Sequence, residues 1–400
     1  MFKLARRLDR VSVSASIAMT QAGNELKALG VKVISLSQGE PDFATPSHAV
    51  EAAHRAALAG QTTYTPQEGT VALKRAVQAK FRRDNGLDYA LDEIMVANGG
   101  KQVIFNAFAA TLDEGDEVII PAPCWVSYAD IARMFGGEPV VVACPENNGF
   151  RLRPEDLEAA ITPRTRWLVL NFPNNPSGAC AGKEEMRAIA EVMLRHPHVL
   201  VMTDDMYEHL LYDGAEFCTI AQVEPQLRDR VLTVNGASKT YAMTGWRVGF
   251  CGGPKPLIKA MARIQGQSTG GISGISQAAA VAALEGPQDY LRERATAYRE
   301  RRDLALSILA KAPGLHCRKP EGAFYLFANI AGCIGKTSAG GKRIETDQDF
   351  VIALLQEKAV ATVHGAAYGM SPFVRLSYAT SDALLREGCE RIVAFCKEMC

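Results

Sequence analysis

An amine, carboxylates, a phenol, carboxamides and a glycine turn are grouped in four short stretches of this sequence, and together they suit covalent chemistry at a carbonyl group. Asn235-Gly236-Ala237-Ser238-Lys239 supplies the amine. Lys239 condenses with an aldehyde when burial or neighbouring cations depress its pKa. Asp204-Asp205-Met206-Tyr207 supplies the acid and the phenol, and a carboxylate such as Asp204 is able to keep a pyridinium nitrogen protonated. Asn98-Gly99-Gly100-Lys101 is a turn entering a helix, where orphan N–H groups and the helix dipole favour phosphate. The carboxamides lie in Asn171-Phe172-Pro173-Asn174-Asn175-Pro176-Ser177-Gly178. Arg247, closing TYAMTGWR, offers a planar fork for phosphate, and Trp125 offers a flat face on which an aromatic ring stacks.

Each piece alone has a plain explanation. A lysine after a strand is ordinarily a solvated cap, and Asn, Pro and Gly favour turns for conformational reasons. Gly-Gly before a helix is ordinarily a tight connection. Order along the chain is what favours chemistry. The four stretches follow runs at 94–97, 167–170, 199–203 and 231–234 that read as strands, and ligands bind outside the carboxyl ends of strands in open parallel sheets.

Further strands are expected at 33–36, 117–120, 139–143 and 248–252, and helices at 48–58, 71–85 and from about 102. The helix over 71–85 should stop at Asn85-Gly86. Such alternation argues for a mainly parallel sheet covered on both faces. From about Tyr290 the pattern changes to a charged helix, then AFYLFANI and VRLSYA, and a last helix, which reads as a smaller α+β unit. Residues 332–343, rich in Gly, Ser and Thr, read as a mobile loop. Their GCIGKT lacks the spacing of a nucleotide-binding loop.

With 400 residues and 48% hydrophobic content, the chain can fill more than one core. The 44 basic residues balance 44 acidic ones, which argues against nucleic acid as a partner. No apolar run reaches the roughly 18 residues of a membrane span. The N-terminal MFKLARRLDRVSVSASIAMTQAG has some transit-like composition, but its scattered apolar residues read better as an ordinary arm. The ten cysteines include no Cys-x-x-Cys pair and no zinc-like Cys/His spacing. They read as buried thiols in a reducing compartment, the cytoplasm, with no metal.

The stretches SQGEPDFATP, TYTPQEG, NGGKQ, CWVSY, NFPNNPSGA, TDDMYEHL, NGASKTYAMTGWRVGF, EGAFY and VRLSYATS resemble the class I/II aminotransferases of pyridoxal phosphate fold type I. Within them the chain is most similar to the bacterial aspartate aminotransferase subgroup, which also includes prephenate and aromatic transaminases. The resemblance implies an α/β fold with a large cofactor-binding domain (48–295) around a mainly parallel seven-stranded sheet. It implies a smaller α+β domain (296–400), with residues 1–47 as an arm and part of that domain. Lys239 would form the Schiff base with pyridoxal 5'-phosphate and shuttle the substrate proton. Asp204 would pair with the ring nitrogen, Asn175 and Tyr207 would bond the ring oxygen, and Trp125 would stack on the ring.

The phosphate would meet Gly100, Lys101, Ser238 and Arg247, with Tyr64 reaching it from the other subunit of a homodimer. Arg375 and Gly39 would take the substrate α-carboxylate, with Trp125 and Asn175 beside it. Lys101 would either read a distal carboxylate or neighbour the phosphate. Many relatives carry a serine where this chain has Gly236. The implied reaction is ping-pong transamination between aspartate or glutamate and a 2-oxo acid, 2-oxoglutarate or oxaloacetate. Aromatic or prephenate donors are an alternative, as is a β-lyase or synthase reaction on the same scaffold; a non-enzymatic regulatory use of the fold is disfavoured by the full set of catalytic side chains.

Overall fold

Runs such as WLVL and VLTV leave no face for water. A computed structural model of the protein, describing residues 2–11 and 15–400, buries them in the middle of one sheet. Met1 and residues 12–14 of the expected arm lie outside the described residues. β1 (Ile34–Ser35) stands apart from this sheet. The sheet's members are β2 (Ile94–Ala97), β3 (Glu117–Ala122), β4 (Glu138–Ala143) and β5 (Thr165–Leu170). β6 (Leu200–Asp204), β7 (Val231–Gly236) and β8 (Gly249–Gly252) complete it. Their order is β2-β8-β7-β6-β5-β3-β4. Every pair is parallel except those made by β8, which runs antiparallel to β2 and β7.

Successive side chains of a strand point to opposite faces. Ile94 and Val96 accordingly join one apolar core, and Met95 and Ala97 the other. Helices cover both faces. Val71–Asn85 starts at Thr70, whose hydroxyl accepts from the Leu73 N–H at 3.3 Å, and ends at Gly86 in the left-handed region (φ 65°). That stop is the expected one, because the left-handed cap suits glycine.

The C-terminal part builds a separate core. β9 (His316–Cys317), β10 (Tyr325–Asn329), β12 (Val363–His364) and β13 (Phe373–Ser377) form an antiparallel sheet, while β11 (Val360–Ala361) pairs in parallel with β1. The beginning and end of the chain therefore share this core. The long helix Asp289–Leu309 spans between the units. Its Arg294 donates to the Ala44 carbonyl at 2.7 Å, and its Arg301 pairs with Asp42 at 2.9 Å.

Residues 332–343 are not the free loop expected from their composition. Thr337 and Cys400 exchange two backbone hydrogen bonds, at 2.9 and 3.1 Å, and the Gly340 N–H donates to Glu357 at 3.0 Å. Small residues here serve a tight, tethered turn. All ten cysteines are free thiols, and eight of them are buried. Among the described residues no helix is long and apolar enough to cross a membrane.

Candidate active site

The carboxyl ends of β3, β5, β6 and β7 and the turn after β2 converge on a cavity of about 560 Å³. Gly100, Lys101, Trp125, Asn175, Asp204, Tyr207, Ser238, Lys239 and Arg247 line it from the large sheet's side, and Gly39 and Arg375 from the other unit. Eleven of the twelve expected site residues thus meet in one place. Tyr64 does not join them and stands fully exposed on this single chain.

Lys239 lies just past β7. Its Nζ donates to the Gly39 carbonyl at 2.6 Å. Burial, with Arg375 and Arg247 nearby, lowers its pKa to about 8 against the opposing pull of Glu40 and Asp204. A lysine of this kind is a neutral nucleophile at a pH where surface lysines are charged. In the cofactor-free protein, acylation of Lys239 should rise with pH and reach half its maximum near pH 8. Mass spectrometry of labelled peptides would read this, and a midpoint shared with the surface lysines would refute it.

Asp204 ends β6 and is buried. Its Oδ2 accepts from the Tyr128 hydroxyl at 2.6 Å, while its Oδ1 is buried without a partner. Burial raises its pKa, opposed by Tyr128 and Lys239. Asn171 ties the neighbouring strand ends together. Its amide donates to the Asp204 carbonyl at 2.8 Å, and its Oδ1 accepts from the Asn175 N–H at 2.9 Å. Tyr207 shares a 2.8 Å hydroxyl contact with Tyr325. Burial pushes the Tyr207 phenol well up, and that of Tyr325 to about 12.

Arg375, on β13, is buried with its charge distributed over several neighbours. It donates to Asn175 Oδ1 at 2.9 Å and to the Ser37 carbonyl at 2.6 Å, and it lies 4.6 Å from the Tyr325 ring centre. Its Nε is buried and unpaired. Arg247, in the left-handed region (φ 58°), donates to the Asn98 carbonyl at 3.1 Å and lies where any side chain on Gly99 would overlap it. Gly99 itself has φ 91° and caps the helix Gly100–Thr111. Lys101 sits 4.9 Å from the Trp125 ring centre, with its pKa lowered by burial and by Arg247. The glycine at 236 also has a physical reason. A Cβ there would fall 2.9 Å from the Val248 carbonyl across the β7–β8 pair.

Tyr128, Ser37 and Tyr325, to which no role falls from sequence, also belong to the site, as does Asn171, expected only as one carboxamide of its stretch. Tyr128 reads as a core residue of the helix Ser127–Met134, and its signals are its place in CWVSY and its three-residue offset from Trp125. Tyr325 lies within EGAFY, but its partner Tyr207 is 118 residues away.

A parallel sheet with one reversed strand, a second α+β unit, and a buried amine facing a carboxylate and an arginine define a class of enzyme. Residues 31–392 match the family aminotransferase class I and II, and the chain belongs to that family and is a transaminase of fold type I. It is 54% identical to an aspartate aminotransferase of Rhizobium meliloti, over 100% of this chain and 97% of that one. It is also 54% identical to an aspartate/prephenate aminotransferase of Cereibacter sphaeroides, over 98% of each. The crystal structure of the aspartate aminotransferase from Rhizobium meliloti superposes with a TM-score of 0.97, covering 100% of both chains at 54% identity. That of Thermus thermophilus aspartate aminotransferase with maleate gives 0.92 at 41% identity, over 99% of this chain and 100% of the other.

Proposed function

We propose that the protein uses pyridoxal 5'-phosphate to move an amino group between an acidic L-amino acid, aspartate or glutamate, and a 2-oxo acid. The observation that carries this reading is the unpaired, buried Oδ1 of Asp204 in a cavity that also holds an amine of depressed pKa. A buried carboxylate oxygen without a donor is costly, and a protonated pyridine nitrogen is a donor that satisfies it. Bound there, the cofactor supplies an aldehyde and an electron-withdrawing ring.

The chain's own residues do the rest. Lys239 would hold the cofactor through its amine and, with that amine free, would carry the proton from the substrate Cα to the carbon of the cofactor's aldehyde. Asp204 would keep the ring nitrogen protonated. Asn175 and Tyr207 would hold the ring oxygen, and Trp125 would cover the ring face. Gly100, Lys101, Ser238 and Arg247 would meet the phosphate. Arg375, with an N–H to spare, binds the α-carboxylate beside Gly39.

Lys101 adds positive charge at the cavity wall, which suits the distal carboxylate of an acidic substrate. Lys101→Ala should raise the KM for aspartate about tenfold, the loss of one partly exposed charged contact. Unchanged kcat/KM for aspartate would remove this role. A second reading, an aromatic or prephenate donor, is favoured by Ile17, Ile104 and Trp125 along the same cavity. Amino donors assayed against several oxo acids, with and without added cofactor, separate the two. Elimination products without oxo-acid dependence would point to a lyase instead.

The active unit is a homodimer in this reading. Tyr64, fully exposed on one chain, would complete the phosphate site of the other subunit, and a monomer in sedimentation would oppose this. Residues 48–295 serve as the cofactor domain and 296–400 with part of 1–47 as the small domain. The boundary falls within the helix Asp289–Leu309. Ten free thiols suit the cytoplasm.

A further inference from the structure

Asp204 turns one oxygen toward the cavity and gives the other to a residue outside the expected site. The Tyr128 hydroxyl donates to Oδ2 at 2.6 Å, and both side chains are buried. Burial, together with the adjacent carboxylate, pushes the Tyr128 phenol well above its usual value. The proton therefore stays on the tyrosine, and the bond has one direction. Tyr128 lies in the first turn of the helix Ser127–Met134, and its ring meets Trp125 edge to face at 5.4 Å and 89°. The other titratable groups near Asp204 are Lys239 and Tyr207.

A buried pyridinium–carboxylate pair is prone to collapse. Moving the proton from nitrogen to oxygen leaves two neutral groups, and neutral groups escape the desolvation penalty that charged ones suffer. A donor on the far oxygen opposes this, because a carboxylate that accepts a hydrogen bond is a weaker base. Tyr128 has the geometry of such a donor. Its bond also fixes the carboxyl rotamer so that the unpaired Oδ1 is the oxygen left for the ring.

We propose that Tyr128 is a positioning residue for the transamination, aiming the Asp204 carboxylate and keeping the shared proton on the cofactor's ring nitrogen. The inference rests on the cofactor reading given above. Phenylalanine preserves the edge-to-face packing on Trp125 and removes only the hydroxyl.

The test is Tyr128→Phe reconstituted with cofactor isotopically labelled at the ring nitrogen. Its NMR signal should move toward that of an unprotonated pyridine. At the same time kcat should fall about tenfold or more, with the KM for the amino acid within about twofold, as expected for losing one hydrogen bond to a charged group. In an Asp204→Asn background the same change should have no further effect, because coupled residues are not additive. A fluorinated tyrosine at 128, a stronger donor, should move the nitrogen signal the opposite way and serves if the phenylalanine variant folds poorly. An unmoved signal in the variants, or full additivity with Asp204→Asn, would overturn the proposal. Wild-type protein that binds no pyridoxal phosphate would instead overturn the cofactor reading itself.

Discussion

Lys239→Ala should lower transamination by about 10⁴-fold or more, since it removes both the nucleophile and the proton carrier. The fold should survive. Lys239 makes one hydrogen bond, to the Gly39 carbonyl at 2.6 Å, and no second strand depends on its side chain. The variant should also lose the visible absorbance that cofactor imparts to the wild type, and borohydride should no longer fix cofactor to the peptide containing position 239. Small amines at high concentration should restore part of the rate, because an untethered base replaces a tethered one only at the cost of its effective molarity. A variant that turns over normally would refute the role of Lys239, whatever its colour.

Asp204→Asn is the second large effect. An amide retains the Tyr128 contact but cannot stabilise a protonated ring nitrogen, and kcat should fall about 10³-fold, the range seen when one preorganised electrostatic partner is removed. The cofactor-free variant should meanwhile be more stable than the wild type at neutral pH. The sign follows from the raised pKa of Asp204 in the fold. A carboxyl with a raised native pKa favours the folded state in acid, and that contribution is lost as pH rises and the group ionises. The asparagine escapes the loss. Its advantage in thermal melting should shrink as pH falls toward the ordinary carboxyl value of 3.8. A melting temperature below that of the wild type at pH 7 would show that Asp204 is not under strain.

These two residues were legible in the sequence because each lies at or just past the carboxyl end of a buried strand. WLVL, LVMT and VLTV are buried runs of mostly apolar residues, so their ends are sharp, and the polar residues near those ends fall on one rim. The reversed direction of β8 left no such mark, since direction is set by pairing and not by composition. The tethering of residues 332–343 was equally hidden. It depends on Glu357 and on the backbone of Cys400, and Gly, Ser and Thr alone indicate only a turn. Tyr128 and Tyr325 escaped notice for a related reason. Their partners lie 76 and 118 residues away, and a buried tyrosine in a helix or strand looks like packing until its hydroxyl is located.

The bond from Arg375 to the Ser37 carbonyl spans 338 residues of chain. With Lys239 on the Gly39 carbonyl, it means that the same few N-terminal residues close the cavity from one side. Catalytic competence is accordingly shared across distant parts of the chain. No nascent or proteolysed piece lacking Ser37–Gly39 or Arg375 possesses the whole reaction centre, and recovery of activity during refolding should trail the return of helical signal. For this protein an activity assay doubles as a sensor of complete tertiary closure.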